Sequence, residues 1–178
     1  MTGGFIERLA AARVGATYNF YRDGERAALL RDRLERYLDE RANAGYLLVA
    51  EAPGYRGTRV SGIPLTSERQ LTGCGLAEAT ATVVHRALAE LELEDEVLLW
   101  NVVPTHPGSE GSNRRPTRIE IASGMTFARE LARGRRVIAV GRIAHEAFGG
   151  VYVRHPSHGG AAAFRSGLVS GLSLTLQS

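Results

Sequence analysis

Four short apolar runs alternate with helical stretches along this chain, and that alternation restricts its fold more than any other feature. The runs are "YLLVA" (46–50), "EVLLWNVV" (96–103), "RVIAVG" (136–141) and the opening of "VYVRHPSHGG" (151–160). Short apolar runs of this kind, without polar alternation, read as strands buried on both faces. Between them, residues 26–43 put Leu29, Leu30, Leu34, Tyr37 and Leu38 at helical spacing, and Gly45 marks a stop. Residues 76–93 and 117–134 read as further helices, 142–150 as a short one and 161–176 as a closing one. Strands that alternate with helices predict an α/β fold around a central, mostly parallel four-stranded sheet flanked by helices. No repeat or linker interrupts the pattern, so residues 1–178 are expected to form a single domain.

Three of the runs open into long polar loops. Ala50 to Glu68 reads "AEAPGYRGTRVSGIPLTSE", Pro104 to Pro116 reads "PTHPGSEGSNRRP", and Arg154 to Gly160 reads "RHPSHGG". Long irregular loops in a compact domain are usually functional or disordered. Open α/β sheets bind ligands outside the carboxyl ends of their strands. The loop starts at Glu51, Asn101 and His155 are therefore expected to meet at one sheet edge.

The formal net charge is +3, the sequence pI is about 9.4, and every basic residue other than histidine is arginine. The absence of lysine fits a compositional bias. Arginine also suits a polyanion, because its planar fork gives bidentate hydrogen bonds to phosphate. Without lysine there is no Walker A lysine and no Schiff-base side chain. A single cysteine, Cys74, allows neither an internal disulfide nor a cysteine-held cluster. The histidines show no ligand spacing, so no metal and no cofactor are expected. No run approaches a membrane span and no signal-peptide pattern opens the chain, which suggests a cytoplasmic protein.

The three loop starts offer a carboxylate (Glu51, with Glu68 at the far end of its loop), an amide (Asn101) and an imidazole (His155). An amide donates and accepts at once and can read a base edge. An imidazole can stabilise charge on a leaving group, and a carboxylate can orient water or stabilise a cationic sugar. Beside arginines, this set suits hydrolysis of a polar heterocycle carried on a phosphate backbone. Each residue also has a plainer reading: Glu51 as a loop cap, Asn101 as a turn former, His155 as a loop residue bonded to backbone.

The segments resemble the motifs of the uracil-DNA glycosylase superfamily. "AEAPG" (50–54) is similar to a first motif of the form Gly-Glu-x-Pro-Gly, and "SGIPLTSE" (61–68) to the continuation that carries a base-stacking aromatic. "WNVVPTHPG" (100–108) with "NRRPT" (113–117) resembles the segment whose Asn reads uracil, and "RHPS" (154–157) the His-Pro-Ser motif. The resemblance spans roughly residues 46–170. It implies a three-layer sandwich, DNA as partner, and a monomeric, monofunctional enzyme that releases uracil or another deaminated base to start base excision repair. Asn101 would bond the base edge, with Ala52, Pro53, Gly54, Tyr55 and Leu65 around it. His155 would stabilise the departing base, and Glu51 or Glu68 would position water. Pro156, Ser157, His158 and Gly159 would lie against DNA, with Arg114, Arg115, Arg154 and Arg165 on phosphates, and the base would leave the stack to react. Two departures stand out. Leu65 occupies the place of the stacking aromatic, and Ala52, Pro53 and Gly54 replace an Asp-Pro-Tyr element. They keep open a weak or non-catalytic relative that binds DNA or a nucleobase. Apart from the resemblance, a small α/β hydrolase of free nucleosides or nucleotides remains an alternative.

Overall fold

A computed structural model describes residues 2–176 of the chain. Helices α1 (Thr2–Ala11) and α2 (Ala27–Glu40) precede strand β1 (Tyr46–Ala50). The first long loop carries α3 (Thr58–Ser61) and α4 (Glu68–Thr72), and then come α5 (Ala79–Glu90) and β2 (Val97–Asn101). The second carries the short pair β3 (Gly108–Ser109) and β4 (Ser112–Asn113). It is followed by α6 (Arg118–Leu131), β5 (Arg136–Val140), α7 (Arg142–Phe148), β6 (Val151–Val153) and α8 (Ala161–Leu176).

The four main strands lie in the order β2-β1-β5-β6, and every neighbouring pair is parallel. Successive side chains of a strand face opposite ways, and the core divides accordingly. Leu47, Val49, Leu98 and Trp100 pack with Phe5, Ile6, Leu9, Leu30, Leu34, Leu38, Met125 and Phe127, from α1, α2 and α6. Leu48, Ala50, Val97, Leu99, Ile138 and Val140 pack with Val84, Ala87, Leu88, Phe164 and Leu168, from α5 and α8. The result is the three-layer sandwich. Each fully buried aliphatic side chain contributes roughly 1.5–3 kcal/mol. A one-residue slip of β1 would swap its faces and forfeit that packing, so the register is fixed.

The chain winds from β1 to β2 on one side and then returns to place β5 and β6 on the other. The carboxyl end of β1 is thus a topological switch point, where a crevice opens. Among the described residues no helix is long and apolar enough to cross a membrane.

Two parts differ from the sequence reading. The sequence pattern predicts no helix over α1, where Gly3 and Gly4 disfavour one. Burial of Phe5, Ile6 and Leu9 outweighs that penalty. The first loop is ordered rather than irregular. Thr58 Oγ1 accepts the Leu65 N–H at 3.1 Å, and Ser61 Oγ donates to Thr66 O at 2.7 Å. Both residues are buried, so these hydroxyls replace the backbone ladder the segment lacks.

Candidate active site

Glu51 directly follows β1, Asn101 ends β2 opposite Ala50, and His155 lies two residues beyond β6. All three line one recess of about 300 Å³, with Pro53, Leu65 and Glu78 among its other walls. The recess opens into a groove of about 730 Å³, and the two share Glu51, Asn113, Arg114, His155, Ser157 and His158. Gly141, which follows β5 at φ 83°, makes the junction possible. A Cβ there would lie 3.3 Å from His155 Cβ, and the backbone conformation itself favours glycine.

Asn101 is 1% exposed, and neither its Nδ2 nor its Oδ1 has a hydrogen-bond partner. A buried, unpaired amide costs about 1–3 kcal/mol, so it marks a place where a ligand can complete the bonding. At His155 the Ser157 backbone N–H donates to Nδ1 at 3.2 Å, and Ser157 Oγ lies 2.8 Å from the same atom. Nδ1 is therefore the acceptor, and the neutral ring carries its proton on Nε2. Burial, helped by the neighbouring His158, lowers the His155 pKa, which keeps the ring neutral. Burial raises the Glu51 carboxyl, and the Arg115 guanidinium pulls it back. An amide, a neutral N–H donor and a partly desolvated carboxylate thus share one recess.

The walls are braced from the second loop. Asn113 Oδ1 accepts the Tyr55 N–H at 2.9 Å. His106 is fully buried, with Nδ1 2.9 Å from Pro53 O and Nε2 2.9 Å from Ser109 O. It braces the first loop against the second. Glu120 is 1% exposed, and its carboxylate grips Arg114 through both oxygens, at 2.6 and 2.8 Å. The Arg114 guanidinium beside it pushes the Glu120 carboxyl down to about 2. Glu120 also forms a capping box with Thr117 and accepts the Ala16 N–H, tying α6 to the N-terminal segment.

Of the other expected residues, Ala52, Pro53, Gly54 and Leu65 line the recess. Leu65 sits at φ 52°, a conformation costly for a residue with a side chain. Arg114, Arg115, Arg154, Ser157 and His158 line the groove. Pro156 is buried behind them and Gly159 is exposed beyond them. Tyr55 lines neither space, and Arg56 stacks over its ring at 5.2 Å. Glu68 also lies outside both. Arg33 holds it through two bonds of 2.8 and 3.0 Å, and Arg26 adds one of 3.1 Å. Arg165 pairs with Glu90 at 2.9 Å, in a separate depression between α5 and α8.

One wall residue carried no sequence signal. Glu78 starts α5, where an acid reads as a cap, yet it makes no side-chain cap bond. Its carboxylate sits against the backbone of the first loop instead. A Cβ on Gly57 would come within 1.6 Å of Glu78 Oε2, so any other residue there would push the carboxylate out of its seat. Burial raises the Glu78 carboxyl. Among the described residues, no group of three or more His, Cys, Asp or Glu side chains could hold a metal ion.

Fold and site together define an α/β protein whose carboxylate, amide and imidazole meet at the carboxyl edge of a parallel sheet. The chain belongs to the uracil DNA glycosylase superfamily, whose family model matches residues 38–171. Members of that superfamily are DNA glycosylases, hydrolases that act in DNA repair. Among solved structures, the chain is similar to wild-type Pedobacter heparinus SMUG2, with a TM-score of 0.68 and 13% identity, over 99% of this chain and 98% of that one. At that identity the likeness is one of fold. No curated protein matches the chain.

Proposed function

We propose that this protein, acting as one domain and as a monomer, hydrolyses the N-glycosidic bond of uracil or another deaminated base in DNA. The observation that carries the reading is Asn101, buried with both ends of its amide unpaired beside Glu51 and His155. A flipped base would supply the missing donor and acceptor. Water adds to the sugar C1′ while the bond from C1′ to the base nitrogen breaks. The electron pair leaves with the base, and the His155 Nε2–H stabilises the resulting oxyanion. Glu51 orients the water and takes its proton, which returns to the departing base. The products are the free base and an abasic sugar. With no lysine in the chain, no side-chain amine is available to form a Schiff base and cut the strand, which supports a monofunctional enzyme. The arginines of the groove favour a nucleic-acid strand over a free nucleoside. A cytoplasmic setting fits this reading.

The test is a labelled oligonucleotide with one uracil, followed by alkali. Scission with the parent and none with Asn101→Ala or Glu51→Gln is the expected result. Binding without scission on uracil, hypoxanthine, xanthine and mismatched thymine would select the non-catalytic reading, which buried Leu65 in the place of a stacking aromatic supports. Turnover of a mononucleoside with little DNA affinity would select the nucleoside hydrolase.

A further inference from the structure

The groove reaches well past the reacting residues. Its far side is formed by Arg142 and Ile143 of α7, Tyr152 of β6 and Arg154. Tyr152 is 49% exposed, one of the large apolar side chains that face solvent, and it stands on the edge strand of the sheet. Its ring meets the edge of His145 at 5.6 Å and 69°, a contact that orients the ring without covering it. A single exposed aromatic needs no explanation by itself. This one lies in a groove whose lining includes Arg114, Arg115, Arg142 and Arg154, with Glu51 the one carboxylate among them. Arg114 is committed to Glu120, but the others are loosely held. Arg142 reaches exposed Glu146 at 3.6 Å, and Arg154 donates to His158 O at 3.4 Å. An aromatic face among loosely held guanidinium groups is the chemistry that holds an unpaired nucleotide, with the base stacked and the phosphates paired.

We propose that this end of the groove is a subsite for the nucleotide next to the excised one. Tyr152 stacks its base, and Arg142 and Arg154 hold its flanking phosphates. The subsite deepens the glycosylase reading, on which it rests for the base in the recess, but binding tests it separately from catalysis.

The experiment measures affinity by fluorescence anisotropy for a short single-stranded DNA with one uracil. Matched strands carry a base-less spacer on one side of the uracil or the other. Tyr152→Ala is expected to weaken binding about tenfold and Tyr152→Phe to stay near the parent. Arg142→Ala is expected to weaken binding and to shallow the salt dependence by about one unit, whereas Tyr152→Ala leaves that slope unchanged. One of the two spacers should weaken the parent by a similar factor and leave Tyr152→Ala unaffected. The proposal is overturned if Tyr152→Ala binds like the parent, if Tyr152→Phe loses as much as Tyr152→Ala, or if the spacer harms both proteins alike. Uracil release is followed in parallel. Absence of release from uracil, hypoxanthine, xanthine and mismatched thymine alike, with the binding pattern intact, removes the glycosylase reading and leaves the subsite standing.

Discussion

Two asparagines of equal burial show how differently this chain treats its N-terminal segment and its strand-end cleft. Asn19 is 2% exposed and fully bonded. Its Nδ2 donates to the carbonyls of Leu9, Ala10 and Ala12 at 2.9, 3.2 and 3.1 Å, and its Oδ1 accepts the Tyr21 N–H at 3.1 Å. It adds bonds to the carbonyls at the end of α1, where helical partners run out. Asn101 is 1% exposed and its side-chain amide bonds to nothing. The acids repeat the contrast: Glu120 is gripped by Arg114, Thr117 and Ala16, whereas Glu51 sits partly desolvated at the cleft. Asn19 and Glu120, which serve the fold, have their bonds completed, whereas Asn101 at its strand end has none, and in the proposed reading a ligand completes them.

The largest effect should come from the cleft and should fall on activity alone. Asn101→Ala and His155→Ala are each expected to slow base release by about 10²–10³, the range for loss of a group that meets developing charge. Asn101→Ala should not lower the melting temperature, because the amide it removes has no partner to lose. Calorimetry beside single-turnover base release checks both halves. A fall of several degrees for Asn101→Ala would erase the distinction between the two asparagines.

Asn19→Ala should do the reverse. It leaves Ala10 O and the Tyr21 N–H without these bonds in the interior, while Leu9 O keeps the Ala12 N–H at 3.2 Å and Ala12 O keeps Arg22 at 3.4 Å, at a cost of about 2–4 kcal/mol. For a chain of this size that lowers the melting temperature by roughly 5–15 °C. The folded fraction, assayed well below the new midpoint, should release base at the parent's rate. An unchanged melting temperature would mean that the four bonds at Asn19 are as dispensable as none at Asn101.

The same contrast explains what the sequence disclosed. The parallel sheet was legible because strands such as "YLLVA" are apolar on both faces, which no solvent-facing strand tolerates. Glu51, Asn101 and His155 were legible because each stands where an apolar run breaks into a polar loop, and βα topology brings such breaks to one edge. Helix α1 was not, because Gly3 and Gly4 hide a pattern whose justification is tertiary packing. Neither was the brace of His106 on Pro53, nor the seat of Glu78 beneath Gly57, since both depend on contacts between loops that no local spacing encodes. Glu51 and Glu68 frame one loop, and only the fold separates a carboxylate left open from one closed by arginines.

That last pair gives the smallest expected effect on stability and the sharpest sign. Arg33, with help from Arg26, holds the Glu68 carboxyl below its ordinary value. A depressed carboxyl stabilises the fold above its unfolded value of about 4.5 and loses that contribution as pH falls through the folded value. Glu68→Gln should therefore cost about 1 kcal/mol at pH 7, roughly 2–4 °C, and the difference should close in acid. Glu51 is shifted the other way, by burial. Its carboxyl favours the fold below about 4.5 and loses that contribution as pH rises through its raised folded value, so Glu51→Gln should cost no stability at pH 7. Activity should invert the ranking. Glu51→Gln should slow release by about 10²–10⁴ and remove the rise of rate with pH that ionisation of Glu51 produces, while Glu68→Gln retains the parent's profile. Melting curves from pH 4 to 8 and rate profiles over the same span decide it. If Glu68→Gln lost the rate and Glu51→Gln kept it, the catalytic carboxylate would be the one the arginines hold, and an open bond at the cleft would no longer mark function.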